Sequence, residues 1–264
     1  QLSREQHGRV ALIRFAGLPD GFMDEQTVVE LDSLLDEVED DPATRVLVFT
    51  GGLPDAFVRH YSVVKLAALA DQLRHRGMTF DPARPTPERG LPVVCRRLES
   101  LPKPVIAAIN GTCMGGGFEF ALACDIRLAI EGSYSIGLPE INIGILPGAG
   151  GTQRLPRLVG LGRALEMLLR GRTVLPREAL ALGMVQEVVD RDLIGRALAL
   201  GNELAAKSPL ALAHIKRLVR GTMSPPSPAG LADERTLFLD LLVSDEAVEL
   251  MAKMNRPGGD IRKV

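Results

Sequence analysis

Short apolar runs alternate with a segment of helical spacing along the first half of the chain. Four runs of five or six residues are mostly apolar: Val10–Phe15, Arg45–Thr50, Val105–Ile109 and Ile126–Ile130. Runs of this length that are rich in Val and Ile are typical of buried strands. Between the first two runs, the apolar residues of 27–39 recur at helical spacing. Strands that alternate with helices predict an α/β fold.

From about Val189 onward the pattern becomes helical only. Four segments carry apolar residues at helical spacing: 193–206, 209–219, 231–242 and 245–254. Pro209 suits the first position of a helix, and Ser244 suits the N-cap position before another. The segment Ser224–Pro228 is predicted to be a proline-rich linker between two of these helices.

The segment from Arg74 to Arg97 is polar and contains four prolines. It is predicted to be a long surface loop, and such loops serve either as lids over a site or as inert excursions. The sequence leaves both alternatives open.

Because the pattern becomes helical only from about Val189, the chain is predicted to divide into a core at 1–189, which carries the candidate site, and a helical region at 190–264.

Composition narrows the range of functions. The 264 residues carry a net charge of −2, with 4% aromatic residues and no Trp, which argues against binding to nucleic acid or to an anionic membrane surface. No apolar run reaches the ~18 residues that span a bilayer. The first ten residues lack the apolar core of a signal peptide, so a cytoplasmic location is expected, although a targeting segment removed before Gln1 stays open.

The three cysteines, Cys95, Cys113 and Cys124, lie among apolar neighbours and form no CxxC pair. They are predicted to be buried free thiols rather than disulfides or metal ligands.

Three glycines, Gly115 to Gly117, follow the apolar run that ends at Ile109 and precede a predicted helix. The unpaired N–H groups at a helix start can bind a phosphate or stabilise an oxyanion, although a tight strand–helix turn would also explain the glycines. Glu119 follows at once in an apolar segment, where a partly buried carboxylate is a candidate general acid or base. The alternative is a charge that stabilises the helix dipole.

A second carboxylate, Glu140, follows Pro139 and precedes another apolar stretch. The glycine-rich segment 148–151 comes soon afterwards and is either a second backbone anion site or a loop that enters a helix. The offset between Glu119 and Glu140 permits a helix–strand–loop return that would bring both carboxylates to one pocket.

In these motifs the chain resembles the enoyl-CoA hydratase/isomerase, or crotonase, superfamily. The similarity is densest at 103–127 and 139–155, and it extends more loosely from Val10 to Met254. It implies a spiral of ββα turns with a C-terminal helical region that forms trimers, often paired into hexamers. It also implies an acyl-CoA thioester substrate and no metal or redox cofactor, since coenzyme A is part of the substrate.

The same resemblance implies an oxyanion hole made by the backbone N–H groups of Gly116 and Tyr61, beside the catalytic Glu119 and Glu140. It also implies further positions that contact substrate or CoA: Phe57, Arg59, His60, Lys65, Gly115, Gly117, Pro139 and Gly148. His60 and Tyr61 stand where the family usually has small residues. Lys65 is one position away from the family's usual basic residue.

Glutamates at both mapped positions are typical of hydratases within this family. We therefore expect a hydratase that adds water across the 2,3 double bond of a 2-enoyl-CoA thioester. Another crotonase reaction (isomerisation, C–C bond cleavage or thioester hydrolysis) is the alternative. A third is a non-catalytic acyl-CoA-binding protein, which the unusual His60–Tyr61 pair suggests.

Overall fold

The computed structural model describes residues 1–222 and 228–260. Within these residues the chain forms ten strands: β1 (Ser3–His7), β2 (Val10–Phe15), β3 (Val46–Gly51), β4 (Ala56–Val58), β5 (Val105–Ile109), β6 (Thr112–Met114), β7 (Ile126–Ile130), β8 (Ile136–Gly137), β9 (Thr173–Val174) and β10 (Glu187–Val189). It also forms eleven α-helices: α1 (Glu25–Glu39), α2 (Val63–His75), α3 (Leu91–Ser100), α4 (Gly115–Ala123), α5 (Gly151–Val159), α6 (Leu161–Leu169), α7 (Pro176–Ala181), α8 (Leu193–Ala205), α9 (Pro209–Thr222), α10 (Pro228–Leu242) and α11 (Asp245–Met254). Two 3-10 helices cover Pro19–Gly21 and Glu140–Ile143.

The strands form two sheets, and the chain passes from the larger sheet to the smaller one several times. The larger sheet has the order β1-β2-β3-β5-β7-β10, in which only β1 and β2 pair antiparallel. The smaller sheet has the order β4-β6-β8-β9. Each of β3, β5 and β7 is followed by a short strand of the smaller sheet and then by a helix. The chain therefore winds as a spiral of ββα turns, and the predicted α/β class and spiral are confirmed.

The four strands predicted from apolar runs are present. Each lies in the interior of the larger sheet, which explains why its sequence is apolar. Every residue of β3 and β5 is buried. One face of this sheet meets α8, whose Leu193 and Ala197 pack with Val10 and Leu12. The helical region after residue 189 thus contributes to the core of the sheet through its first helix.

The predicted loop from Arg74 to Arg97 is wrong at both of its ends. Helix α2 continues to His75, and α3 begins at Leu91. Pro92 is compatible with α3 because it occupies the first turn of the helix, where a proline removes no helical hydrogen bond. Only the stretch between these helices is irregular, and it contacts α10 through a hydrogen bond from the Thr86 N–H to Thr236 Oγ1 of 3.0 Å.

The C-terminal helices pack back onto the core. Helices α10 and α11 cover α2 and the 3-10 helix at Glu140 through a buried cluster that includes Val63, Ile143 and Met251. The predicted cap is confirmed, since Ser244 Oγ accepts a hydrogen bond of 3.2 Å from the Ala247 N–H. Residues 224–227 of the predicted linker lie outside the described residues, and Pro228 begins α10.

Among the described residues, no helix is both long and apolar enough to cross a membrane. The three cysteines are buried free thiols, as predicted.

Candidate active site

Helix α4 starts at the triple glycine and carries Glu119 in its second turn. Gly115 has a φ of 50°, a conformation that strains any residue with a Cβ atom. Gly117 faces β4 so closely that an added Cβ would lie 2.4 Å from the Val58 carbonyl oxygen. The turn therefore requires the first glycine, and packing against β4 requires the third.

Gly116 faces the segment that follows β4. An added Cβ at Gly116 would lie 3.2 Å from Tyr61 Cβ and 3.6 Å from the Tyr61 nitrogen. The pairing of β4 with β6 brings the two segments together, and a hydrogen bond of 3.1 Å from the Met114 N–H to the Arg59 carbonyl extends that pairing.

The backbone on the other side of Tyr61 fixes the direction of its N–H group. Met23 donates its N–H to the His60 carbonyl at 3.1 Å and accepts the Ser62 N–H at 2.7 Å. Backbone groups alternate in direction along an extended chain, so the Tyr61 N–H points away from Met23. It therefore lies on the side of the segment where Gly116 is found.

Glu119 is buried, with 3% of its surface exposed. Its Oε1 atom accepts hydrogen bonds of 2.7 Å from the Ala149 N–H and 2.8 Å from the Gly151 N–H. Gly151 is the first residue of α5, so the carboxylate lies at the N-terminus of that helix. Of the two alternatives for the segment 148–151, the structure thus shows a loop that enters α5, and two of its N–H groups point at one oxygen of the Glu119 side chain.

Glu140 is the first residue of the 3-10 helix Glu140–Ile143, and its side chain approaches the start of α4. It is 7% exposed. Its Oε1 atom lies 3.3 Å from the position that a Cβ on Gly115 would occupy. Gly115 and Glu119 are four residues apart and share one face of α4, about 6 Å apart along the axis. Both carboxylates therefore lie along one face of α4.

His60 is buried beside these groups. Its Nδ1 atom lies 2.7 Å from the Tyr61 carbonyl, and its ring centroid lies 4.5 Å from that of Phe22. Because a carbonyl can only accept, this geometry assigns a proton to Nδ1. Burial lowers the pKa of His60, which favours the neutral ring at neutral pH. Burial and then the nearby Glu25 raise the pKa of Tyr61, so its phenol stays protonated.

Two other residues expected to contact substrate lie beside the carboxylates. Pro139 is buried and precedes the 3-10 helix of Glu140. Gly148 lies under the ring of Phe238 from α10, where an added Cβ would meet the ring at 2.9 Å. A helix of the C-terminal region therefore closes over the loop that holds Glu119.

Three further candidates make other contacts. Phe57 is buried in an aromatic cluster, 5.5 Å from the ring centroid of Phe15. The Arg59 guanidinium bonds Asp55 at 2.8 Å and the Asp20 carbonyl at 3.0 Å. Lys65 is exposed in the first turn of α2. Their roles in binding substrate or CoA stay predictions.

Arg154 was not predicted from the sequence to be a site residue. It is 5% exposed, and its Nη1 atom donates a hydrogen bond of 2.6 Å to the carbonyl of Ala149, the residue whose N–H binds Glu119. One signal was available, since Arg154 lies close to the start of a helix, where the dipole disfavours a cation. A cation placed there against the dipole indicates a specific anionic partner.

In the described parts of the chain, no three His, Cys, Asp or Glu side chains are grouped to hold a metal ion. The candidate site offers two buried carboxylates and backbone N–H groups to a ligand.

The chain is similar to a known family of proteins over nearly its whole length. The family model described as "Enoyl-CoA hydratase/isomerase" matches residues 5–253. The 2,3-dehydroadipyl-CoA hydratase of Escherichia coli (strain K12) is 43% identical over 159 residues, which are 60% of this chain and 62% of that protein. Aligned segments cover 54% to 63% of the first three such relatives, so this chain matches between half and two thirds of their lengths.

Two solved structures are similar over most of the chain. The enoyl-CoA hydratase of Bacillus anthracis has a TM-score of 0.74 and 32% identity, and the match covers 92% of each chain. DspI of Pseudomonas aeruginosa has a TM-score of 0.74 and 35% identity, and the match covers 92% of this chain and 89% of that one. With the family model matching nearly the whole chain, the protein belongs to the enoyl-CoA hydratase/isomerase family.

Proposed function

We propose that this protein is an enoyl-CoA hydratase, which adds water across the 2,3 double bond of a 2-enoyl-CoA thioester. The observation that carries the proposal is the placement of two buried carboxylates, Glu119 and Glu140, along the face of α4 that starts beside Gly116 and Tyr61. Hydratases among its relatives support the choice of reaction.

Each part of the site has a role in this reaction. Negative charge develops on the thioester oxygen as water attacks Cβ, and the N–H groups of Gly116 and Tyr61 would donate to that oxygen. Loss of one such donor costs about 3–4 kcal/mol in comparable sites. Because Tyr61 acts through its backbone, its bulky side chain is compatible with this role.

The two carboxylates would hold and activate one water molecule. Glu119 in its ionised form mainly assists attack on Cβ by accepting a proton from water, and Glu140 in its protonated form delivers a proton to Cα. Exchange of protons with solvent then returns both groups to their starting states. The two backbone N–H groups on Glu119 Oε1 suit an ionised carboxylate, which accepts hydrogen bonds only. The thioester already polarises the double bond, so the proposed reaction uses no metal or redox cofactor, and coenzyme A enters as part of the substrate.

The proposal includes assembly into a trimer or a hexamer. Helices α6 and α9 expose large apolar side chains, among them Leu161, Leu169, Leu210 and Leu218, which are each at least 60% exposed. Such surfaces are typical of faces that another chain covers. Light scattering on the purified protein would test the assembly, and a monomer at micromolar concentration would contradict it.

The test of the reaction is the loss of ultraviolet absorbance from the conjugated thioester of crotonyl-CoA. We expect rapid loss with the parent protein and a fall of 10²- to 10⁴-fold in Glu119→Gln and in Glu140→Gln, because each removes one acid–base group. Glu37→Gln, an exposed change of the same chemistry on α1, is the matched control and should keep the parental rate.

Two outcomes would contradict the hydratase proposal. Activity that survives in Glu119→Gln but not in Glu140→Gln would favour an isomerase, which can use one acid–base group. Tight binding of CoA esters without turnover of short, long or branched enoyl thioesters would favour a non-catalytic acyl-CoA-binding protein.

A further inference from the structure

A partly buried chain of ion pairs runs from the C-terminal helix α9 to Arg154, which is itself buried and lies next to the loop that holds Glu119. The member nearest Glu119 is Arg154 on α5, and one edge of its guanidinium donates to both carboxylate oxygens of Glu99 on α3. The Nε–Oε1 distance is 2.8 Å and the Nη2–Oε2 distance is 2.7 Å. Paired bonds of this kind fix the orientation of the guanidinium as well as its position.

One residue links this guanidinium to Glu119. The Ala149 carbonyl accepts from Arg154 Nη1 at 2.6 Å, while the Ala149 N–H donates to Glu119 Oε1 at 2.7 Å. The next residue, Gly150, passes so close that an added Cβ would lie 1.9 Å from Arg154 Nη1. The loop that holds Glu119 therefore packs closely against the Arg154 side chain.

Glu99 continues the chain to α9. Its Oε1 atom also accepts from Arg220 Nη1 at 3.0 Å. Arg220 in turn bonds Asp125 Oδ1 at 2.8 Å and the Ala123 carbonyl at the end of α4 at 2.9 Å, and Lys216 bonds Asp125 Oδ2 at 2.8 Å. Helix α9 thus forms hydrogen bonds both to the last turn of α4, which carries Glu119, and to Glu99, the partner of Arg154.

The chain places a fixed positive charge near a buried carboxylate. It comprises three cations and two anions, namely Arg154, Arg220, Lys216, Glu99 and Asp125. Burial opposes the charge on Arg154, but its bonds to Glu99 outweigh that penalty and hold the pKa of Arg154 above its usual value. Glu119 interacts electrostatically with Arg154, which a poorly hydrated interior strengthens.

We propose that Arg154 is a positioning residue for Glu119, and that Glu99 sets how much of the Arg154 charge acts on the Glu119 carboxylate. The inference rests on the proposed function, in which Glu119 must be ionised to accept a proton from water. It concerns residues that touch neither the substrate nor the reacting atoms.

The groups that face Glu119 come from three neighbouring elements. Glu140 on the 3-10 helix lies beside Gly115, about one turn before Glu119, and Arg154 acts from α5. Cys95 and Glu99 lie on α3, where the Cys95 thiol is 3.9 Å from the Glu119 carbonyl and stays protonated because burial raises its pKa. Arg154 and Glu99 therefore carry opposite charges near Glu119. Removing the first should raise the pKa of the Glu119 carboxyl, and removing the second should lower it.

The test exploits this opposition. The acid limb of kcat/KM against pH reports the ionisation of the essential base in the free enzyme. Arg154→Met removes a cation, so the midpoint should move to higher pH by on the order of one unit. Glu99→Gln removes an anion and leaves the Arg154 charge less compensated, so the midpoint should move to lower pH. A purely structural role would not give shifts of opposite sign.

Kinetic parameters give a second reading of position. In Arg154→Met we expect kcat to fall by about 10²-fold with little change in KM, because a carboxylate displaced by about 1 Å loses its alignment while substrate contacts remain. Arg154→Lys keeps the charge but not the paired geometry, so it should lower kcat and leave the midpoint in place. Arg163→Met, an exposed change on α6, is the matched control.

The experiment separates failure of this inference from failure of the proposed function. If the parent does not hydrate crotonyl-CoA, the proposed function fails, but ¹³C-glutamate NMR can still follow the Glu119 carboxylate, assigned with Glu119→Gln. Opposite shifts of its titration in Glu99→Gln and Arg154→Met would support the inference. Shifts of the same sign, or none, would overturn it. If Arg154→Met does not fold, Arg220→Met replaces it with an upward shift of smaller size.

Discussion

For two adjacent glycines at the start of α4, the structure predicts that the same substitution lowers stability at one and activity at the other. An added Cβ at Gly117 would lie 2.4 Å from the Val58 carbonyl oxygen and 2.7 Å from Val58 Cβ. An added Cβ at Gly116 would meet Leu91 Cδ2 and Tyr61 Cβ, each at 3.2 Å. The first contact is with backbone in a buried strand. The second is longer, and a movement of a few tenths of an ångström at the end of Leu91 and at Tyr61 would relieve it.

The magnitudes follow from these distances. Overpacking costs about 1–3 kcal/mol, and contact with a backbone oxygen belongs at the upper end of that range. Replacing glycine by alanine within a helix returns about 1 kcal/mol. Gly117→Ala should therefore lose about 2 kcal/mol of unfolding free energy, and Gly116→Ala should stay within about 1 kcal/mol of the parent. The methyl group of Gly116→Ala enters the space next to the Tyr61 nitrogen and should lower kcat by about 10²- to 10³-fold.

Urea unfolding followed by far-ultraviolet circular dichroism is the assay of stability, since the chain has no Trp for fluorescence. Hydration of crotonyl-CoA is the assay of activity. Gly162→Ala on α6 is the matched control, because nothing lies within 4 Å of its added Cβ. That variant should be as stable as the parent or up to about 1 kcal/mol more stable, with unchanged activity.

Two results would refute this reasoning. A Gly117→Ala protein that unfolds at the parental urea concentration would mean that β4 yields to the helix. A Gly116→Ala protein that folds and keeps the parental kcat would remove the case for a donor pair at Gly116 and Tyr61.

Two further predictions concern buried titratable groups. Burial raises the pKa of Cys124 to about 12 and also raises that of Cys95 and Cys113. A thiol reagent should therefore label native protein at least about 10³-fold more slowly than urea-unfolded protein, which should bind three equivalents. Fast labelling of the native protein would contradict this prediction. Burial lowers the pKa of His60, so unfolding binds a proton and stability should fall as pH drops below about 6.5, by at most about 1.4 kcal/mol per pH unit. His60→Phe should flatten that dependence relative to a change at the exposed His7, and an unaltered slope would count against it.

The larger sheet could be predicted from sequence because its strands are buried runs. Val10–Phe15, Val105–Ile109 and Ile126–Ile130 match observed strands residue for residue. The strand Ser3–His7 has no such pattern, since four of its five residues are exposed at the edge of the sheet. Strands of the smaller sheet, such as Ile136–Gly137, are too short to show a period. They form because the chain winds back over itself.

The candidate site divides in the same way. The two glutamates and the triple glycine were recognisable because polar or flexible residues interrupt apolar sequence. What the glycine-rich segment 148–151 binds was not predictable, since its partner Glu119 lies 30 residues away from Ala149 and arrives only in the folded chain. The start of α3 at Leu91 was hidden by a proline that disfavours helix interiors but suits a first turn.

The nine residues of α4 are all buried, so the carbonyls that the helix leaves unpaired at its end cannot rely on water. Arg127 donates to the carbonyls of Ala121 and Cys124 at 3.2 and 2.8 Å, and Arg220 donates to that of Ala123 at 2.9 Å. Both cations also lie at the end of the helix that favours positive charge. The helix whose N-terminal end is the proposed oxyanion site therefore depends on two arginines at its C-terminal end. Because one of those arginines belongs to α9, the C-terminal region and the candidate site are parts of one packed unit.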